Sequence, residues 1–199
     1  MQPDCTPPRR RFGFGMLEIV VLLAVASVVG VLAAAVLVQT SRLDRIQKTW
    51  TILDRTRLSE FNAAAVAGQA FFQDIGRNPQ LLSQLVTPLI GTDKNACGNS
   101  YTGAQTGNWL GPYGGFTIVA AVGLPTPIGT GNNLLVRNPT GTGFDTLAII
   151  FPNVDVEDAL LLDQVFDNAD GNLIGLVKWT APAAGLTTMR YAWPISAAC

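Results

Sequence analysis

The chain has 199 residues, a formal net charge of −1, 14% charged residues and no histidine. A net charge this close to zero argues against a global basic field that would attract nucleic acid. The absence of histidine removes the most common general base and the most common transition-metal ligand, which argues against much of enzyme chemistry.

The N-terminal part combines a short basic leader with a long apolar run. Residues 1–13 are polar, contain prolines and carry three consecutive arginines at 9–11, whereas residues 14–38 are apolar or small with Glu18 as the one charge. Such a run is long enough to cross a bilayer as a helix, and the arginines favour a cytoplasmic N-terminus. We therefore expect a single-pass anchor. Cleavage by an ordinary signal peptidase near residues 33–35 is the competing interpretation, against which the length of the run and Glu18 argue.

The sequence becomes amphipathic after the apolar run. Over residues 39–76, apolar side chains recur near helical spacing, with charged residues on the other faces and no proline. The pattern predicts one helix from about Phe14 to about Gln73, ended by Gly76 and the proline at 79. Its second half carries a single apolar stripe, which we expect to pack on the following domain; pairing in a coiled coil is the alternative.

Residues 77–199 have the pattern of a globular α+β head. Strands are predicted at 116–122, 133–137, 146–151, 173–179 and 187–193, each next to glycine, proline, asparagine or threonine turns. Helices are predicted at 80–89 and 155–166, the second with Asn153 as its N-cap, and a long glycine-rich loop at 91–115. The predicted fold is α+β, a long N-terminal helix packed on a small, mainly antiparallel sheet.

The chain has three cysteines, Cys5, Cys97 and Cys199. Cys5 precedes the apolar run, on the side that the arginines assign to the cytoplasm. Cys97 and Cys199 follow the run, so an oxidising compartment would favour a disulfide between them. Two free buried thiols are the alternative.

The segment Gly13-Phe14-Gly15-Met16-Leu17-Glu18, after a basic leader and before an apolar run, resembles the class III signal of type IV pilins and type II secretion pseudopilins. The resemblance implies that a prepilin peptidase cuts after Gly13 and that Phe14 becomes an N-methylated first residue. Glu18 is then fifth, as the family requires, whereas a cut after Gly15 would place it third. The family also implies a pilin-like fold, with the head region closed by Cys97 and Cys199 exposed on a filament.

Glu18 has a physical argument of its own. A carboxylate in a membrane helix costs about 2.5–3.5 kcal/mol at the centre and less near an interface, so it normally has a partner. Cleavage would create an amine at Phe14, one helical turn away, as the natural counter-ion; snorkelling at the membrane edge is the alternative. Small residues along residues 24–35 would let such helices approach one another closely and form a helical filament core.

The resemblance therefore implies a structural subunit of a type IV pilus, for adhesion, motility or DNA uptake. Its partners would be copies of itself, the prepilin peptidase, the pilus or secretion assembly machinery and the bacterial inner membrane, where the precursor resides before it enters a periplasmic or extracellular filament. A type II secretion pseudopilin or minor pilin is the close alternative, and a membrane-anchored periplasmic binding domain is the second. Ala35 replaces a proline of many pilins, which favours a type IVb-like pilin.

Two further site hypotheses concern the head. DNA binding would depend on its few basic residues, which do not cluster in sequence: Lys94, Arg137, Lys178 and Arg190. The segment from Asp167 through Asp170 to Asn172 invites a calcium interpretation but does not fit an EF-hand, so a simple turn is favoured. We find no catalytic motif and expect no enzyme activity, no cofactor and no metal.

Overall fold

The structure is a computed structural model that describes residues 15–61, 70–119, 122–139 and 144–196. It has the expected α+β architecture, with a long apolar N-terminal helix and a small antiparallel sheet. The chain divides into two compact units, Met1–Ser41 and Arg42–Cys199. The first contains the apolar part of the long helix, and the second contains its amphipathic part together with the head.

Helix α1 spans Met16–Phe61. Within the second unit, its residues Ile46, Thr49, Leu53 and Thr56 are buried, at alternating spacings of three and four. The Thr49 hydroxyl donates a hydrogen bond to the carbonyl of Arg45, 2.9 Å away, so burial leaves this polar group satisfied. The predicted packing of the amphipathic stripe on the head is confirmed.

The prediction of one helix reaching Gln73 is wrong. Residues 62–69 lie outside the described residues, Ala70 is extended (φ −131°, ψ 143°), and a separate helix α2 spans Phe71–Ile75. Ala70, Phe71 and Ile75 are buried in the head core, and this tertiary packing overrides the helical propensity of the local sequence. Gly76 (φ 68°) caps α2 in the left-handed region that glycine adopts without strain.

The described residues of the head form two antiparallel sheets. Strands β1 and β2 form a hairpin that the sequence pattern did not predict, and the other four strands pair in the order β3-β4-β6-β5. The strands are β1 Leu124–Thr126, β2 Gly129–Gly131, β3 Val136–Asn138, β4 Phe144–Asp155, β5 Val177–Trp179 and β6 Leu186–Ser196. The long strands β4 and β6 lie at the centre, with Ile149 paired to Tyr191, and their register shifts between Phe151 and Val154.

Several predicted elements are shorter than expected. The predicted strand at 116–122 forms only an isolated bridge between Val119 and Gly123 among its described residues. The predicted helix at 80–89 is a single 3-10 turn, Leu82–Leu85, and the predicted loop at 91–115 contains the short helix α3, Gly103–Gly107. In the segment predicted as a strand at 173–179, only β5 is extended, because residues 172–176 form turns and bends.

Helix α4 spans Val156–Phe166, close to the prediction, but its N-cap is Asp155. The Oδ1 atom of Asp155 accepts a hydrogen bond from the amide of Glu157 at 2.8 Å. The predicted cap, Asn153, instead lies within β4 with φ 57°. The difference arises because β4 continues to Asp155, which pairs with Leu186 of β6 and so delays the start of the helix.

Candidate functional site

The described part of the first unit is an apolar helical segment with exposed side chains. α1 is the one helix among the described residues that is long and apolar enough to cross a membrane, and its most apolar window has a mean hydropathy of 3.0 with no part buried. A lone N-terminal helix of this kind fits a single-pass anchor by length and composition.

Glu18 lies in the first turn of α1, where helix amides have no intrahelical acceptor. Its Oε2 atom accepts a hydrogen bond from the amide of Gly15 at 3.2 Å. A carboxylate at this position also interacts favourably with the positive end of the helix dipole. The predicted cleavage site, Gly13 and Phe14, lies outside the described residues, so the pairing of Glu18 with a new amine stays a prediction.

The hydroxyl groups of the apolar segment are satisfied within the helix. Ser27 donates to the carbonyl of Ala24 at 2.8 Å, and Ser41 donates to the carbonyl of Val38 at the same distance. Thr40 likewise reaches the carbonyls of Val36 and Leu37. Because each of these three donors has a backbone acceptor, none of them would be left unsatisfied in lipid.

An arginine–carboxylate cluster ties the beginning of the second unit to α4. Arg42 contacts Asp158 at 3.2 Å and Asp155 at 3.8 Å and is paired with Glu157, while Arg45 reaches Asp158 at 3.4 Å. Asp158 is buried, and burial raises the pKa of its carboxyl even though Arg45 and Arg42 pull it down. The acids at the start of α4 therefore act as ion-pair partners of the long helix as well as helix-start charges.

The basic residues considered for DNA binding do not form one surface. Lys178 and Arg190 are direct neighbours across β5 and β6 and line a shallow depression beside Trp179. Arg137 is paired with the buried carboxylate of Asp145, and its Nε lies 2.6 Å from Oδ2. Lys94 lies in an irregular loop, so only two of the four candidates are brought together.

The end of α4 and the loop after it bring three carboxylates together. Asp163, Asp167 and Asp170, the three-aspartate cluster, each present an oxygen, and these oxygens lie within 4.8 Å of one another. The amide of Gly171 donates to Oδ2 of Asp163 at 3.4 Å, and the amide of Val177 donates to Oδ2 of Asp167 at 2.6 Å. Backbone amides of the loop after α4 thus bind carboxylates at the end of α4 and hold the cluster together.

The sequence predicted this turn but not all of the residues whose side chains meet there. The backbone turns through Asn168 (φ 63°), Ala169 (φ 54°) and Gly171 (φ 95°), as expected of a turn. However, the side-chain amide of Asn172 donates to the carbonyl of Trp179, and Asp163 contributes the third carboxylate instead. The four-residue spacing of Asp163 and Asp167 at a helix end was the signal that could have identified the pair.

Only one of the two cysteines predicted to pair is described. Cys97 lies in the loop between the 3-10 turn and α3, whereas Cys199 lies outside the described residues. The Cys97–Cys199 pairing therefore stays a prediction.

Comparison with known proteins gives no identification. No family model matches the chain, and neither a curated protein nor a solved structure is significantly similar to it.

Proposed function

We propose that this chain is a structural subunit of a type IV pilus, assembled through its N-terminal helix. The observation that carries the proposal is a helix whose most apolar window has no buried residue, with an acid in its first turn and a compact head on the same chain. An exposed apolar surface of this extent needs either lipid or other apolar helices around it. Processing after Gly13 would make Phe14 the first residue of the mature chain.

In this proposal the subunit resides in the membrane before assembly, and neighbouring helices in the filament core then take the place of lipid around its apolar helix. Gly30 has open space around it, so a neighbouring helix can approach the backbone closely there. The head then faces outward, and the Cys97–Cys199 pair would fix its C-terminal end. Adhesion, motility and DNA uptake are all functions that such a fibre would serve; for DNA, the Lys178 and Arg190 pair is the candidate contact.

The deciding experiment is intact-mass measurement of the mature chain from bacteria that express it with a prepilin peptidase. We expect a chain that begins at N-methylated Phe14. The variant G13V should block processing, whereas G15A, at the other glycine of the motif, should leave it unchanged. A mature chain that begins elsewhere, or an uncut chain, would remove the pilin assignment and favour a membrane-anchored binding domain.

A substitution at Glu18 distinguishes filament assembly from membrane insertion. Glu18→Gln keeps the size of the side chain and removes the charge that an amine would pair with, so we expect loss of filaments with normal membrane insertion. Asp44→Asn, at an exposed acid whose ion pair with Lys48 lies within one helix, is the control and should assemble normally. Normal piliation by the Glu18 variant would contradict the role given to this carboxylate.

The second candidate is a type II secretion pseudopilin or a minor pilin, which would share the N-terminal signal. Quantitative mass spectrometry of purified surface filaments distinguishes the two. A major pilin is the dominant protein of the filament, whereas trace amounts or absence would assign the chain to the second candidate.

A further inference from the structure

We propose that the solvent face of β5 and β6 binds one acidic sugar unit of an anionic polysaccharide. Lys178 and Arg190 hold the carboxylate or sulfate of the sugar, and Thr188 binds a hydroxyl group beside it. Such a site would give a fibre an adhesive ligand, a use that rests on the proposed function, but all of the residues of the site belong to the head.

Lys178 and Arg190 form a cross-strand pair of like charge. They lie directly opposite each other in the register of β5 and β6, where Cβ atoms are about 4.5–5.5 Å apart. Two like charges in this position are destabilising. Among the described residues, neither side chain takes part in a direct ion pair, although Lys178 acts electrostatically on Asp167. An anion bound between the two cations would remove their repulsion.

The chemistry of the two cations suits a single oxyanion. The guanidinium group of Arg190 can donate two parallel hydrogen bonds to a carboxylate or sulfate, whereas the ammonium group of Lys178 acts as a point charge. Arg190 is exposed and Lys178 is half-buried, so both side chains reach the solvent. One anionic group can therefore contact both cations at once.

A pair of threonines lies two residues further along the same face. The amide of Thr180 donates to the carbonyl of Thr188 at 3.1 Å, so the two segments stay paired about 6.5 Å from the cations. The Oγ1 atom of Thr180 accepts a hydrogen bond from the amide of Thr188 at 3.3 Å, which holds it in place. The hydroxyl of Thr188 is half-buried and has no hydrogen-bond partner in the described part of the chain, so it is available to a ligand.

The four side chains line one shallow depression of about 220 Å³, together with Asn172, Leu173 and Trp179. Asn172 is held at its rim by two hydrogen bonds with the backbone of Trp179, at 3.1 and 3.4 Å. Leu173 is 78% exposed and provides an apolar wall on which the C–H groups of a sugar ring can pack. The volume is below the about 300–1,000 Å³ of sites for drug-sized ligands, so it suits a single sugar unit.

Duplex DNA fits this surface less well than an acidic saccharide does. DNA carries one negative charge per about 1.7 Å of its axis, and proteins bind it through stripes or clusters of cations. Within the described residues of the head, only two cations meet here, and Lys178 already acts on Asp167 of the three-aspartate cluster. A row of phosphates would be repelled by these carboxylates, whereas a single oxyanion needs to contact only the cation pair.

The test is the binding of acidic oligosaccharides to the full chain in non-ionic detergent micelles, measured by isothermal titration calorimetry at low salt. The probes are an oligogalacturonate, which carries carboxylates, and a sulfated galactose oligosaccharide of the same length. Their methyl-esterified and desulfated forms keep the sugars and lack the charges, so they are the matched control ligands. We expect at least one acidic probe to bind about tenfold or more tightly than its uncharged form, and the two probes distinguish carboxylate from sulfate.

Three variants and one control locate the site. Lys178→Gln and Arg190→Gln should each weaken the binding of the acidic probe by about tenfold or more, because each removes a charged hydrogen-bond donor. Thr188→Val keeps the shape of the side chain and removes its hydroxyl, so it should weaken binding several-fold. Lys94→Gln removes an equal charge from the loop that contacts Gln84 and should bind as the wild type does.

Thermal unfolding separates loss of binding from loss of the fold. Lys178→Gln and Arg190→Gln should each melt at or above the Tm of the wild type, since each removes the repulsion between two like charges. A lower Tm in both variants would show that the two cations stabilise the head without a ligand, which would overturn the case for a bound anion.

Absence of binding, or equal affinity for the acidic and uncharged probes, would overturn the proposal, as would wild-type affinity in both the Lys178 and Arg190 variants. Duplex DNA with the same number of charges that bound more tightly than either acidic probe would assign the cation pair to nucleic acid instead. None of these outcomes bears on the mass of the mature N-terminus, so the saccharide site and the pilus proposal fail independently.

Discussion

The indole ring of Trp50 lies parallel to the phenyl ring of Phe166, with centroids 4.8 Å apart and planes inclined by 4°. Trp50 belongs to the amphipathic part of α1 and Phe166 is the last residue of α4, so this stack joins the two helices. Trp50 also meets the ring of Tyr191 edge-on, at 5.8 Å, and thereby reaches the central strand β6.

A double-mutant cycle measures this stack. Trp50→Ala and Phe166→Ala should each lower the free energy of unfolding by about 2–4 kcal/mol, because each removes a large aromatic ring from a packed interface. The double variant should lose less than the sum, with a coupling energy of about 0.5–1.5 kcal/mol, as measured by denaturant unfolding. Strict additivity would show that the rings contribute independently.

Two buried tyrosines differ in whether their hydroxyl group has a hydrogen-bond partner among the described residues. Tyr191 is buried and its hydroxyl has no hydrogen-bond partner among the described residues, and burial raises its pKa. Tyr113 is equally buried, but its hydroxyl oxygen accepts a hydrogen bond from the amide of Leu110 at 2.9 Å. Burial raises the pKa of Tyr113 to about 12.

Tyr191→Phe should therefore leave the stability unchanged or increase it, since it removes a polar group that lost its water partners on folding. Tyr113→Phe should cost about 1–2 kcal/mol, because it leaves the Leu110 amide without this acceptor. Thermal or denaturant unfolding of both variants checks the prediction. A larger loss for Tyr191→Phe than for Tyr113→Phe would contradict it.

The buried carboxyl of Asp158 should make stability depend on pH. Its pKa is raised by burial, so the folded chain holds this proton more tightly than the unfolded chain does. Between the ordinary pKa of about 3.9 and the raised one, the folded state binds more protons, and the contribution of Asp158 to the free energy of unfolding falls as pH rises. This unfavourable contribution is present in full above the raised pKa and is relieved on acidification.

Asp158→Asn should remove that part of the pH dependence. At neutral pH the variant should be within about 1 kcal/mol of the wild type, since the lost pairing with Arg42 and Arg45 is offset by the lost burial cost. Unfolding curves measured from mildly acidic to neutral pH test both statements. A wild type that gains stability relative to the variant as the pH rises would show that the ion pairs outweigh burial.

The Arg137–Asp145 pair predicts an asymmetry between its two members. The Asp145 side chain is 5% exposed, whereas that of Arg137 is 27% exposed. Arg137→Gln should cost about 3 kcal/mol, because it removes the counter-charge of a buried carboxylate. Asp145→Asn should cost less, since the freed guanidinium can turn toward water. Equal losses would show that Arg137 is no more accessible to solvent than Asp145 is.

Periodicity and charge were sufficient for the elements that are long and strongly patterned. The apolar part of α1, helix α4 and the central strands β4 and β6 all appear near their predicted positions. Helix α4 and strands β4 and β6 each bury one regular face, whereas the apolar part of α1 has apolar side chains on all sides. Both patterns can be recognised in a single sequence.

The remaining features depend on contacts between segments that are distant in sequence. Asn153 is a good N-cap residue by type, but the pairing of Asp155 with Leu186 extends β4 past it. The residues of the β1–β2 hairpin carry little alternation, and Gly123 (φ 113°) lies against the carbonyl of Gly131 so closely that only tertiary structure explains it. The sequence did not identify Asp163 as a member of the three-aspartate cluster, because it has the pattern of an ordinary polar residue on a helix.

The order of strands in the four-stranded sheet limits how the head can associate with other molecules. Its two edges are β3 and β5, each of three residues, and the eleven- and twelve-residue strands lie between them. Short edges offer few free backbone groups to a strand from another molecule. The short edges thereby protect the head from uncontrolled strand addition and amyloid-like aggregation, which leaves any ordered association to surfaces other than sheet edges.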